Sequence, residues 1–262
     1  CQQTGVIMDN MFDVAGKNIV VTGGYGHLGG ELSNYLARSG AKTIIIGRDD
    51  RRGMDFLEES TFKKNLFYYN ANLTSYSEVK KCFSKIIKRH GIIDVLINNA
   101  YFMQSDNFEE ISEHDWETGI NGTINLTYRV TQAAVKYMKQ TGGSIINIAS
   151  MYGMVSPDPA IYGESKFNSP ANYGAGKAAV IQFTKFCAVH LAKYKIRVNA
   201  VSPGPFPSPS VQMNKTFISK LVEKVPLKRI GHPSELNGVI VLLCSEASSY
   251  ITGQNISVDG GW

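Results

Sequence analysis

Residues 18–22, Asn-Ile-Val-Val-Thr, form a β-branched run with no alternation of polar and apolar positions. A strand of that kind is buried on both faces, which places it inside a parallel sheet covered by helices. It runs without a break into Gly23-Gly24-Tyr25-Gly26-His27-Leu28-Gly29-Gly30. A helix is expected next, because Leu28, Leu32, Tyr35 and Leu36 recur at helical spacing until Gly40 stops it. A glycine-rich turn between a buried strand and a helix lets backbone amides close on a pyrophosphate at the helix N-terminus. This one unit sets the class as α/β and points to a dinucleotide.

The rest of the chain repeats the pattern. Further strands are expected at 43–46, 66–69, 95–97, 144–148, 197–201 and 255–258. Ser75-x-x-Glu78 reads as a capping box ahead of the stripe Val79, Cys82, Phe83, Ile86 and Ile87. Other helices are expected over 120–138, from 173 to 191, and over 235–243. Residues 205–233 hold five of the nine prolines and read as a lid-like loop with one short helix near 216–225. Strict alternation of buried strands and helices predicts a doubly wound sheet with helices on both faces. Residues 11–262 are expected to be a single domain, and residues 1–10 a frayed extension.

Composition removes several function classes. The net charge is +5, and the densest basic run, Lys80, Lys81, Lys85, Lys88 and Arg89, sits on the polar face of one expected helix. No recognition motif accompanies it, so nucleic acid is not an expected partner. No apolar stretch approaches the ~18 residues that span a membrane. Four scattered cysteines without a Cys-x-x-Cys pair suit a reducing cytoplasm and predict no metal site.

Two positions carry the chemistry. Tyr173 and Lys177 stand four apart, so both project from one face of a helix. An ammonium beside a phenol favours the phenolate, and a phenol tuned that way exchanges a proton with an alcohol oxygen near neutral pH. Tyr162 and Lys166 repeat the spacing, but Asn168, Ser169 and Pro170 end any helix there. At the end of the second strand an NAD site wants a carboxylate for the ribose hydroxyls. Here Gly47 is followed by Arg48, which fits the 2′-phosphate of NADP; NAD is the less favoured cofactor. Asp49 and Asp50 are expected to pair with Arg51 and Arg52.

Thr22-Gly23-x-x-x-His27-x-Gly29, Asn98-Asn99-Ala100, Ser150, Tyr173-x-x-x-Lys177 and Pro203-Gly204 together resemble the single-domain short-chain dehydrogenase/reductases. So does the ending, Arg229-x-Gly231-x-Pro233 through Tyr250-Ile251-Thr252-Gly253 to Val258-Asp259-Gly260-Gly261. The resemblance implies a Rossmann-type sheet of seven parallel strands in the order 3-2-1-4-5-6-7. It implies Tyr173 as acid/base, Lys177 lowering its pKa and holding the nicotinamide ribose, and Ser150 holding the substrate oxygen. Cofactor contacts are implied at Gly23, Tyr25, His27, Leu28, Arg48, Asn72, Leu73, Asn98 and Ala100. They continue at Tyr173, Lys177, Pro203, Gly204 and Phe206, with Ser208 near the carboxamide.

Four positions depart from the family's pattern. His27 replaces the middle glycine, with Gly26 offset by one, so the phosphate turn is expected to be rearranged. Tyr101 stands where glycine normally follows Asn-Asn-Ala. The family's helical asparagine falls at Thr123, flanked by Asn121 and Asn125, and its role stays open among the three. Tyr162 lies 12 residues after Ser150, the family's usual interval, whereas Tyr173 lies 23 after it. An insertion between Ser150 and Tyr173, with Tyr162 at the pocket rim, accounts for the difference. The loop Met151-Tyr152-Gly153, Ser156-Pro157, Ile161-Tyr162 and Asn168-Ser169-Pro170 resembles reductases of flagellin-modification and surface-sugar pathways.

The expected function is interconversion of a carbonyl and a secondary alcohol with NADP, the loop's resemblance suggesting a sugar or sugar derivative as substrate. A non-catalytic NAD(P)-sensing regulator on the same fold is the alternative, and such proteins tend to lack the tyrosine or lysine. Extended-type sugar-nucleotide epimerases need more substrate-binding chain than follows residue 258. Val180, Ile181, Phe183, Phe186, Cys187, Val189 and Leu191 leave the Tyr173 helix apolar around most of its circumference. A homo-oligomer, tetramer or dimer, is therefore expected, unless loop 205–233 covers the second face.

Overall fold

The computed structural model describes residues 10–104, 107–165 and 167–262. The expected extension at 1–10 and the lysine of the second Tyr-x-x-x-Lys match, Lys166, therefore lie almost wholly outside the described residues. The first half contains β1 (Asn18–Thr22), α1 (His27–Arg38), β2 (Lys42–Gly47), α2 (Asp50–Glu59) and β3 (Leu66–Asn70). It continues through α3 (Tyr76–His90), β4 (Val95–Asn98), α4 (Glu113–Ile120), α5 (Leu126–Met138) and β5 (Gly143–Ile148). Then come α6 (Pro159–Tyr162), α7 (Ala171–Leu191) and β6 (Ile196–Pro203). The last elements are α8 (Pro209–Gln212), α9 (Lys215–Lys224), α10 (Asn237–Cys244) and β7 (Asn255–Val258).

The seven strands form one parallel sheet in the order β3-β2-β1-β4-β5-β6-β7. Every residue of β1 is buried, as its unalternating sequence requires. Val20, Ile44, Leu96 and Ile145 pack on one side against α3, α5 and α7, with Phe83, Ile86 and Val130 fully buried. Ile19, Val21, Ile97 and Ile146 pack on the other against α1 and α10 through Leu32, Leu36, Ile240 and Leu243. Each such side chain contributes about 1.5–3 kcal/mol by leaving water. β1 pairs with β2 on one flank and β4 on the other, so chain order reverses there. That reversal opens a crevice beyond the carboxyl ends of the strands.

Several boundaries differ for local reasons. Helix formation begins at Glu113 rather than 120, because Ser112 caps α4 by accepting from Asp115 N. A π-helical turn over Asn121–Asn125 joins α4 to α5. The capping box at α3 is half formed. Ser75 accepts from Glu78 N, but the Glu78 carboxylate reaches Asn72 N at 3.0 Å. Ahead of α9, which Asn214 caps, the proline-rich segment contains the additional single turn α8.

Candidate functional site

The crevice holds a cavity of ≈ 560 Å³. At one end the glycine turn is tied to the loop after β4. Thr22 Oγ1 accepts from Asn99 N and Ala100 N, both at 3.0 Å, and Asn99 Nδ2 donates to Thr22 O and Gly23 O. A Cβ at Gly29 would stand 2.3 Å from Gly23 O and 2.6 Å from Asn99 Nδ2, so only glycine fits. In this turn Gly26 is the N-cap residue and His27 the first residue of α1. That helix has no side-chain cap and no acid in its first turn, leaving backbone N–H groups at the cavity for an anion. Gly23, Tyr25, His27 and Leu28 all line this end.

Further along, the Tyr25 ring lies on Gly47 and its hydroxyl accepts from Asp49 N at 3.2 Å. Arg52 stacks over the same ring, its guanidinium carbon 5.4 Å from the centroid. Arg48, Arg52 and Lys177 are the only formally charged side chains among the described residues lining the cavity. The expected pairing of Asp49 and Asp50 with Arg51 and Arg52 does not form. Asp49 instead caps α2 by accepting from Arg52 N, and Arg51 pairs with Asp55 at 3.9 Å. Asn72 and Leu73 line the adjacent wall. A nicotinamide dinucleotide fits this set, whose lining among the described residues offers bare helix amides, two cations and no carboxylate.

At the other end stand Ser150, Tyr173 and Lys177, with Pro203, Gly204, Phe206 and Ser208. Ser150 lies two residues past the end of β5 and caps the turn that follows, its Oγ accepting from Tyr152 N at 3.1 Å. Tyr173 lies in the first turn of α7, and Lys177 one turn on is 4% exposed. Lys177 Nζ donates to Ile148 O at 2.6 Å. It lies 5.7 Å from the Tyr173 ring centroid and 5.2 Å from that of Tyr101. Burial brings the Lys177 ammonium down to about 7. The Tyr173 phenol is raised rather than lowered: burial dominates, Tyr101 adds to it, and hydrogen bonding by Ser150 opposes it. The expected lowering by Lys177 is not among the causes acting on Tyr173, because an ammonium brought down to about 7 is already neutral where a raised phenol titrates.

Some expected residues fall elsewhere. Asn98 does not line the cavity. Its side chain is buried under the sheet, donating to Thr131 Oγ1 and Asn147 Oδ1 at 2.9 and 2.8 Å, and its neighbour Asn99 lines the wall instead. Successive strand residues point to opposite faces, and an Asn-Asn pair alone does not say which faces the ligand. Of the three candidates, Thr123 lies against Gly176 of α7. Its Oγ1 donates to Gly119 O at 2.8 Å and would lie 1.9 Å from a Cβ at Gly176, while Asn125 Nδ2 donates to Asn121 Oδ1. Tyr162 ends α6 and is absent from the cavity wall. Its hydroxyl donates to Tyr152 Oη at 3.3 Å and its ring stacks on Phe217. Asp158 pairs with Lys224 at 2.7 Å, so the inserted segment is docked on α9. Arg52 escaped the sequence reading, although its four-residue spacing from Arg48 was the available signal.

Comparison with known proteins follows the same lines. A family model described as enoyl-(acyl carrier protein) reductase matches residues 28–262. The chain is 36% identical to the 3-oxoacyl-(acyl-carrier-protein) reductase of Thermotoga maritima, over 94% of this chain and 97% of that one. Among solved structures, a short chain dehydrogenase from Leptospira borgpetersenii with bound NAD+ is 31% identical, with a TM-score of 0.85, covering 100% and 98% of the two chains. A gluconate 5-dehydrogenase from Burkholderia cenocepacia, in complex with NADP and tartrate, is 26% identical with a TM-score of 0.84, covering 96% of each.

Proposed function

The chain belongs to the short-chain dehydrogenase/reductase family of oxidoreductases, and we propose that it uses NADP to interconvert a carbonyl and a secondary alcohol on a sugar or sugar derivative. One observation carries this reading: Ser150, Tyr173 and Lys177 meet at one end of a cavity whose other end presents bare α1 amides with Arg48 and Arg52. The α1 amides would hold the pyrophosphate and the two arginines the 2′-phosphate, through charge-assisted contacts. Bound nicotinamide supplies or accepts the hydride.

The chain's own groups do the rest. The Ser150 hydroxyl holds the substrate oxygen. The Tyr173 hydroxyl donates its proton to that oxygen as charge develops there, or takes it back in the oxidative direction. Lys177, when charged, offsets the phenolate that results. The sugar assignment is supported by the inserted loop and by the likeness to a gluconate 5-dehydrogenase. Assembly into a homo-oligomer is supported by α7, where Phe186 and Val189 remain 62% and 83% exposed and no segment among the described residues covers them. A dehydrogenase screen over sugars, sugar phosphates and nucleotide sugars with both cofactors tests the reading. Turnover with NADPH on one of these classes is expected; tighter binding of NADH than NADPH would sink the cofactor assignment.

A further inference from the structure

The geometry points to Tyr101 as a positioning residue that holds the Lys177 ammonium in place against Tyr173. The inference rests on the reading of Tyr173 and Lys177 as the proton-transfer pair. Tyr101 stands in the loop after β4, and its ring lies 5.7 Å from the Tyr173 ring at an interplanar angle of 52°. Lys177 Nζ is thus flanked by two aromatic rings, at 5.2 and 5.7 Å from their centroids, with the Ile148 carbonyl behind it. A ring face attracts a cation, and more strongly where water is excluded. Here the cation is 4% exposed, so the rings replace hydration that the site has removed.

The backbone on either side fixes the Tyr101 ring. Ala100 N donates to Thr22 Oγ1 at 3.0 Å and Phe102 N to Gly122 O at 3.2 Å. The Tyr101 hydroxyl has no hydrogen-bond partner among the described residues, and the side chain is 53% exposed. What the ring offers the site is therefore its face. The titratable groups facing Lys177 are Tyr173 on its own helix and Tyr101 from the β4 loop; β5 contributes only the Ile148 carbonyl.

The test needs neither substrate nor cofactor. Lysine labelled with ¹³C at Cε is titrated by NMR in the full chain, with Lys177→Met identifying the Lys177 signal. Tyr101→Phe keeps the ring and should leave the Lys177 midpoint unchanged. Tyr101→Leu keeps bulk but removes the ring face, and should lower the midpoint by about 0.5–1.5 on the pH scale. Tyr101→Met provides the same comparison should leucine disturb the fold, which circular dichroism reports. A midpoint that stays or rises without the ring, or falls equally in Tyr101→Phe, overturns the proposal. A midpoint that falls only without the ring, in a protein that turns over no carbonyl or alcohol with either cofactor, upholds the seat for Lys177 and removes the oxidoreductase reading.

Discussion

Replacing Lys177 by methionine should stabilise the protein at low pH and lose that advantage as pH rises. Burial lowers this ammonium from 10.5 to about 7 in the folded chain, while the unfolded chain keeps the ordinary value. The unfolded state therefore binds more protons between those limits, and stability rises with pH across them. Below about pH 7 the folded protein carries the full cost of the buried charge. Above about pH 10.5 both states are neutral and the cost is gone. A difference of roughly 3.5 on the pH scale corresponds to an upper bound of about 5 kcal/mol. Lys177→Met also strands the Ile148 carbonyl, a loss of about 1–3 kcal/mol, but that loss does not vary with pH. The informative quantity is thus the slope. Melting curves of both proteins at pH 6 and pH 9.5, followed by circular dichroism, isolate it. Even a third of the bound shifts the difference in Tm by roughly 3–7 °C between the two pH values. A difference that is the same at both would refute the claim that a buried, depressed ammonium sits at this position.

Other substitutions address the site directly. Tyr173→Phe should cut turnover by at least about 10²-fold while cofactor still binds, measured by steady-state kinetics and fluorescence. Tyr162→Phe should leave turnover within a few-fold, since it removes hydrogen bonds to Tyr152 and Ser169 and none on the cavity wall; a dead Tyr162→Phe beside an active Tyr173→Phe would exchange their roles. Arg48→Ala and Arg52→Ala should each weaken NADPH by roughly ten- to a hundredfold and leave NADH nearly unchanged, by fluorescence titration. Val189→Asp, on the exposed face of α7, should dissociate the oligomer in light scattering; an unchanged mass places the interface elsewhere.

The strands were legible because a fully buried parallel strand needs an unbroken apolar run, and β1, β2 and β4 contain such runs. The glycine turn was equally legible. Close backbone approach admits only glycine, and Gly29 against Gly23 O meets that condition. Spacing along α7 placed Tyr173 and Lys177 on one face, since helix geometry alone determines it.

Tertiary contacts decided what those side chains meet. Lys177 is aimed at Ile148 O on β5, and no count along α7 reveals a partner 29 residues upstream. The direction of the Tyr173 shift depends on burial between α7 and the β4 loop, a quantity absent from one helix's sequence. Asn98 turned under the sheet because Thr131 and Asn147 lie there to satisfy it. Tyr162 was drawn from the expected rim onto Phe217 of α9, a residue 55 positions away that buries its ring. Local physics depends on neighbours in the chain, which a sequence prints side by side. Burial, charge and the orientation of a buried polar group depend on neighbours in space, and here those arrive from β4, β5, α5 and α9.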